Sequence, residues 1–200
     1  MNENMIKKLG TFNTESDELR ITDPCYEKTV WCCETLKNCN IGEWTSFIKY
    51  NEGDNRVAEI ITTFGNDSVD ILDIIEESKW IDSGIDVGVD SGQCGIFDDS
   101  KYPKTKEELG EWGDESSFYG KCCDLTDTYE KGGLLDFGAV SSSGYGDGSY
   151  TCLYAEKNDK ISTIRIIFIP DDEDEDEEYE DSDNEIDFED EKDDSTFLKI

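Results

Sequence analysis

Histidine is absent from all 200 residues. Its absence removes Ser-His-Asp and Cys-His nucleophilic pairs, His-ligated zinc and imidazole acid–base chemistry. Any catalysis is left to carboxylates, thiols, lysine or tyrosine. Positive charge is also scarce: 18 Lys and Arg stand against 51 Asp and Glu, for a net charge of −33. Lys7-Lys8 is the only adjacent basic pair. Without a basic stripe there is no counterion release to drive nucleic-acid binding, and anionic membranes are disfavoured for the same reason. The same field favours basic protein partners, histone-like or ribosomal in character. No apolar run approaches the roughly 20 residues that span a bilayer, and residues 1–8 lack the apolar stretch of a signal peptide. These absences predict a cytoplasmic or nuclear protein.

Cys-x-x-Cys is missing as well, although there are eight cysteines: Cys25, Cys32, Cys33, Cys39, Cys94, Cys122, Cys123 and Cys152. Zinc ligands usually stand two to four residues apart. The doublets Cys32-Cys33 and Cys122-Cys123, if on strands, point to opposite faces. Free, mostly buried thiols are the expected state in a reducing compartment. Zinc coordination and disulfide pairing are the other two readings.

The carboxylates are unevenly spread. Residues 171–200 hold 18 Asp and Glu and two Lys, so residues 1–170 carry a net −17. The stretch 171–194 is nearly all acid, and self-repulsion with little apolar area predicts disorder. Residues 1–170 contain all four Trp and enough Ile, Val, Phe and Tyr to bury a core. The predicted organisation is a β-rich domain over 1–170 and an acidic tail over 171–200. The tail reads as a solubilising element or as one that engages basic proteins. Ser182 precedes Asp183 and Glu185, a setting that suits an acidophilic kinase. The closing apolar segment 195–200 reads as an incidental end or as a short docking motif.

Alternating apolar and polar residues predict strands at 18–23 and 80–89; 8–14 and 42–50 are strand-like in content, and 56–64 is ambiguous in period, its β-branched residues favouring a strand. Further short strands are expected at 29–36, 118–126, 134–141, 149–156 and 161–169. The last two form a hairpin across 157–160, and 51–55 and 90–95 read as turns. Helices are expected at 67–78 and 104–112. The pattern implies a mainly antiparallel β-sandwich or partly open barrel with one or two short helices.

Three segments stand out: LRITDPCY (19–26), VGVDSGQCGIFD (87–98) and VSSSGYGDGSY (140–150). Each contains a turn rich in Asp, Gly or Pro. In order and spacing together they resemble an uncharacterised bacterial-type family grouped as domain of unknown function 4241, over roughly residues 8–169. The resemblance implies a β-rich fold and no assigned activity. It does not extend to the acidic tail or the cysteine doublets.

Turns that close neighbouring strands gather at a sheet rim. Asp23, Asp90, Asp98, Asp99 and Asp147, with Gln93, Ser143 and backbone carbonyls, are therefore candidates for an oxygen-rich Ca²⁺ or Mg²⁺ site. The structural alternative is equally concrete, because tight turns demand Asp and Gly for backbone reasons alone. Cys25, Tyr26, Ser91, Tyr145 and Tyr150 are further rim candidates for ligand contact. No motif demands a cofactor. The GYGDG turn at 144–148 is a poor phosphate cradle, since it precedes a strand rather than a helix and has no nearby Lys or Arg. The leading expectation is a non-enzymatic binding protein. The alternatives are a carboxylate- or divalent-cation-dependent enzyme at the Asp23, Asp90 and Asp147 turns, and an immunity or anti-defence protein that blocks a basic toxin or nuclease.

Overall fold

The computed structural model describes residues 5–65 and 70–171. The chain divides where its composition changes, into Met1–Pro170 and Asp171–Ile200. The readings made for 67–69, for the acidic run, for Ser182 and for 195–200 lie outside the described residues.

The described strands, in chain order, are β1 (Ile6–Thr14), β2 (Leu19–Thr22), β3 (Glu34–Leu36), β4 (Gly42–Tyr50), β5 (Val57–Phe64), β6 (Ile81–Val89), β7 (Gln93–Asp98), β8 (Gly132–Leu135), β9 (Gly138–Ser142), β10 (Gly148–Lys157) and β11 (Lys160–Ile167). The helices are α1 (Ile71–Glu77), α2 (Lys106–Leu109) and α3 (Phe118–Thr126). All strand pairings are antiparallel. They build a six-stranded sheet, β1-β4-β5-β11-β10-β6, and a five-stranded sheet, β3-β2-β7-β9-β8. Neither sheet closes into a barrel.

The two sheets share one core. Trp44, Ile48, Ile60, Ile164 and Ile166 of the larger sheet pack in the same cluster as Leu19, Ile21, Ile96 and Ala139 of the smaller. Each such aliphatic side chain, fully buried, contributes about 1.5–3 kcal/mol. Side chains on a strand alternate between faces, and β7 uses both. Cys94 and Ile96 enter the inter-sheet core, whereas Phe97 joins Tyr102, Leu109, Phe118, Cys122 and Val140 in a second cluster. That second cluster includes residues of α2 and α3, so the smaller sheet is sandwiched between the larger sheet and a helical layer. A strand covered on both faces is buried throughout, as β7 is. Gln93 has the parity of Phe97 and therefore faces α3.

Several expectations need correction. Residues 118–126 form a helix, not a strand. The aromatic and cysteine content suggested β structure, but Phe118 and Cys122 stand one turn apart and both enter the second core. Ser117 caps the helix by accepting from the Gly120 N–H at 3.0 Å. Gly120 is unfavourable inside a helix by about 1 kcal/mol, yet a Cβ there would lie 2.0 Å from the Asp114 carbonyl oxygen. The cysteine doublets consequently sit on a turn and a helix rather than on strands. Residues 29–36 yield only the short β3, because Val30 N–H and Cys33 N–H close turns onto Glu27 and Val30 carbonyls at 3.0 Å each. Residues 134–141 are not one strand but the β8–β9 hairpin, in which Leu135 pairs with Gly138. The turn expected over 90–95 ends early, since β7 begins at Gln93. The helix expected over 104–112 is confined to the four residues of α2. The β10–β11 hairpin forms as expected, on Asn158 and Asp159 at φ 57° and 60°, the left-handed pair that matches strand twist.

Candidate functional site

The chain switches sheets at 90–92, between β6 and β7, and again at 143–147, between β9 and β10. At such crossings backbone N–H groups have no ladder partner and must find another acceptor. Asp23, fully buried at the end of β2, supplies one. Its carboxylate accepts from Asp90 N–H at 2.9 Å, Ser91 N–H at 2.7 Å, Ser91 Oγ at 2.6 Å and Cys25 N–H at 2.8 Å. The second crossing docks on the first: Ser143 N–H donates to Gly92 O at 3.0 Å. Within that crossing Ser143 Oγ donates to Gly146 O at 2.8 Å. The Tyr150 hydroxyl reaches the carbonyls of Ser143 and Gly146 at 3.0 and 2.5 Å. Gly144 sits at φ +60°, where a side chain would press on Phe168 and Ile169. The three segments singled out by sequence therefore meet at one rim. The 143–147 turn is a corner between sheets rather than a hairpin.

The predicted carboxylate set is split. β7 runs antiparallel to β2, with Leu19 opposite Asp98 and Thr22 opposite Gly95, so Asp98 lies roughly 17 Å along the strand from Gln93 at about 3.4 Å per residue. There it accepts from Glu15 N–H and Ser16 Oγ, both at 2.5 Å, and from Ser100 N–H and Oγ at 2.9 and 2.8 Å. Burial pushes the Asp98 carboxyl up, but these hydrogen bonds outweigh it and hold the group below the usual carboxylate range. Asp99 is committed to Arg20 at 2.5 Å and Lys28 at 3.0 Å. Asp147 is exposed at the rim. Among the described residues no group of three or more Cys, Asp or Glu is arranged to hold a metal ion. Of the four residues read as a Ca²⁺ or Mg²⁺ site, Asp98 therefore stands apart from Asp23, Asp90 and Asp147. Two of these carboxylates are turn staples saturated by N–H and O–H donors, at opposite ends of a strand.

The other candidates divide in the same way. Tyr145 is exposed and stacks under the Arg56 guanidinium at 4.9 Å, while Tyr150 braces its own turn. The Cys25 thiol lies at the rim, where burial first and the Asp23 carboxylate second push it up. Burial and the facing Asp90 carboxylate likewise raise the Tyr26 hydroxyl. All eight cysteines are free thiols.

Beyond Ser91 the rim opens into a groove of about 530 Å³ between the Ser91–Gln93 turn and α3. Its walls include Trp112, Tyr119, Cys123, Asp124 and Asp127, of which the sequence drew attention only to Cys123, as half of a cysteine doublet. The available signals were the Ser117 cap and the one-turn spacing of Phe118 and Cys122, which place this segment on a helix. Tyr119 is within hydrogen-bonding reach of Ser91 and Cys123, and burial pushes its hydroxyl up to about 12. Gln93 is 6 % exposed. Its Nε2 donates to Cys123 Sγ at 3.3 Å, while its buried Oε1 has no partner. Turning the amide over changes which end is unmatched without removing the mismatch. Such an unmade bond costs about 1–3 kcal/mol.

The geometry defines a two-sheet antiparallel β protein with a helical layer and a polar groove at one rim. No protein-family model, curated protein or solved structure matches the chain. No helix among the described residues is long and apolar enough to cross a membrane.

Proposed function

We propose that the protein is a non-enzymatic binding protein that engages basic protein segments through its carboxylate-rich surface. The observation that carries this reading is the acidic excess, a net −17 over residues 1–170, which the buried ion pairs leave unneutralised. Arg20 and Lys49 are buried, and Arg165 is nearly so. Arg20 pairs with Asp99, and Lys49 and Arg165 both pair with the buried Glu59. These cations are matched inside the fold by the carboxylates of Asp23, Glu59, Asp98 and Asp99, so the acidic excess of residues 1–170 stays with the remaining, mostly exposed side chains. The field outside such a surface steers cationic partners and repels polyanions.

The rim supports binding over catalysis. Asp23 is saturated with donors, and Cys25 is held as a thiol by burial and by adjacent carboxylates, the opposite of what activates a nucleophile. A cytosolic setting suits eight free thiols.

Calorimetric titration of the full chain with an Arg- and Lys-rich peptide tests the reading. Binding is expected at low salt and should weaken steeply as salt rises. Removal of 171–194 is expected to lower affinity by about tenfold, since roughly half the net charge goes with it. A full chain that takes up no basic peptide at low salt would overturn the reading.

A further inference from the structure

The groove beside α3 is built for a cation and holds none of its own. Asp124 and Asp127 stand three residues apart, the spacing that puts two side chains on one helix face. Both are exposed, both line the groove, and neither forms an ion pair among the described residues. They also occupy the last turn and the C-cap of α3, which has no basic residue in its last turn. The C-terminal end of a helix carries partial negative charge and prefers Lys or Arg. Two carboxylates there repel both each other and the helix end. Lys121, on the same helix, lines the neighbouring groove, which Asp124 also borders together with Leu125, Leu135 and Phe137, and Lys121 is not among the residues lining this one.

Two independent features specify what kind of cation fits. Trp112 lines the groove and is 79 % exposed, so the indole is available for stacking. Gln93, more than nine-tenths buried, lines the same groove, and its buried Oε1 is unpartnered. That acceptor calls for an N–H donor, as do the two carboxylates. A guanidinium is flat, stacks on an indole and presents five N–H donors in a fixed fork. A divalent metal ion would need several oxygens converging at about 2.4 Å, which the described residues do not provide.

We propose that the groove formed by Trp112, Gln93, Asp124 and Asp127 receives the arginine side chain of a basic protein segment. This rests on the function proposed above and gives it a place on the surface. The guanidinium stacks on Trp112, its N–H groups bond the two carboxylates, and one N–H donates to Gln93 Oε1. A cationic guest favours the amide orientation that leaves Oε1 free.

The test is calorimetry on the full chain with a short basic peptide carrying one arginine, the same peptide with citrulline in its place, and free methylguanidinium. Asp124→Asn with Asp127→Asn is expected to weaken the arginine peptide by at least about tenfold. Trp112→Ala should weaken it by about threefold, and Gln93→Leu by about threefold to tenfold. Glu76→Gln with Glu77→Gln removes the same charge from α1 and should leave binding within about twofold. Citrulline should lose the binding that arginine gives. Equal losses from the α1 pair and the α3 pair would reduce the effect to diffuse charge and overturn the groove, while the basic-partner reading stands. Methylguanidinium bound as tightly as the peptide would overturn a protein segment as the source. Absence of binding by any basic peptide would overturn both readings. Trp112, Asp124 and Asp127 are exposed, so their variants keep the fold, and circular dichroism verifies that each does.

Discussion

Asp23 and Asp98 make the same local structure at opposite ends of the smaller sheet, but what lies beyond each differs. Both are fully buried and both carboxylates accept four hydrogen bonds. Each holds a segment where the chain passes from one sheet to the other: 15–16 between β1 and β2 for Asp98, 90–91 between β6 and β7 for Asp23. A buried carboxylate suits this task because a single group satisfies several N–H donors left without a ladder. Around Asp98 the remaining polar groups are also satisfied, with Asp99, Arg20 and Lys28 closing the corner. Around Asp23 the pattern runs on through Ser91 to Tyr119, Cys123 and the half-satisfied Gln93, and then opens into a groove. Buried acid alone does not mark a functional site. The distinguishing mark is a polar chain that ends unsatisfied next to open space.

The largest expected effect tests the shared part of this pairing. Asp98→Ala and Asp23→Ala should each destabilise the fold by about 3 kcal/mol, because several buried donors lose a charged acceptor at once. Urea unfolding followed by tryptophan fluorescence measures both. A loss below about 1 kcal/mol at either site would break the equivalence of the two ends. Next in size is Gly120→Ala. The added Cβ would meet a backbone oxygen at 2.0 Å and should cost about 2 kcal/mol by displacing α3, with the groove losing its peptide as the helix shifts.

Acid tests the Asp98 end. Its carboxyl is held below the ordinary unfolded value of about 3.9. Its stabilisation is therefore complete above that value and is lost as pH falls through the lower, folded one. Urea midpoints taken from pH 5 to pH 2 should drop across this window, and Asp98→Asn should flatten the drop. An unchanged slope in the variant would show that other carboxylates dominate acid unfolding. The smallest effect is the most discriminating. Gln93→Leu removes an amide with an unmade bond and should change stability by less than about 1 kcal/mol, on the favourable side. A strongly destabilised Gln93→Leu protein would place that amide with the structural staples and not with the groove.

Much of the larger sheet was legible in residue order. Aromatic and aliphatic content in 42–50, β-branched residues in 56–64 and alternation in 80–89 mark three of its strands, and Asn158-Asp159 marks the hairpin that follows. The smaller sheet was harder to read. β7 is buried on both faces, and its first residues look like a continuation of the Gly-rich turn. α3 was misread because residue content outweighed spacing: Phe118, Cys122 and Cys123 suggest a strand until the cap at Ser117 and the Asp114 contact of Gly120 are seen. With that helix went Tyr119, Asp124 and the capping Asp127, and so one wall of the groove. The aspartates were rightly singled out as turn residues. Their partners were not legible, because Asp23 and Ser91 are distant in sequence and meet only when β2 and β7 pair.

By itself the sequence determined the chemistry excluded by the lack of histidine, the sign and excess of charge, the change of composition at Pro170 and the mainly β character of what precedes it. These depend on composition and local periodicity, which survive without knowledge of contacts. Tertiary structure alone decided that the 144–148 turn is a corner between sheets, that Asp98 and Asp23 serve opposite ends, and that Gln93 faces α3 with one acceptor unmet. Those facts depend on which strands pair and which helix covers them, and long-range pairing is set by the packing of the whole core rather than by any segment of the chain.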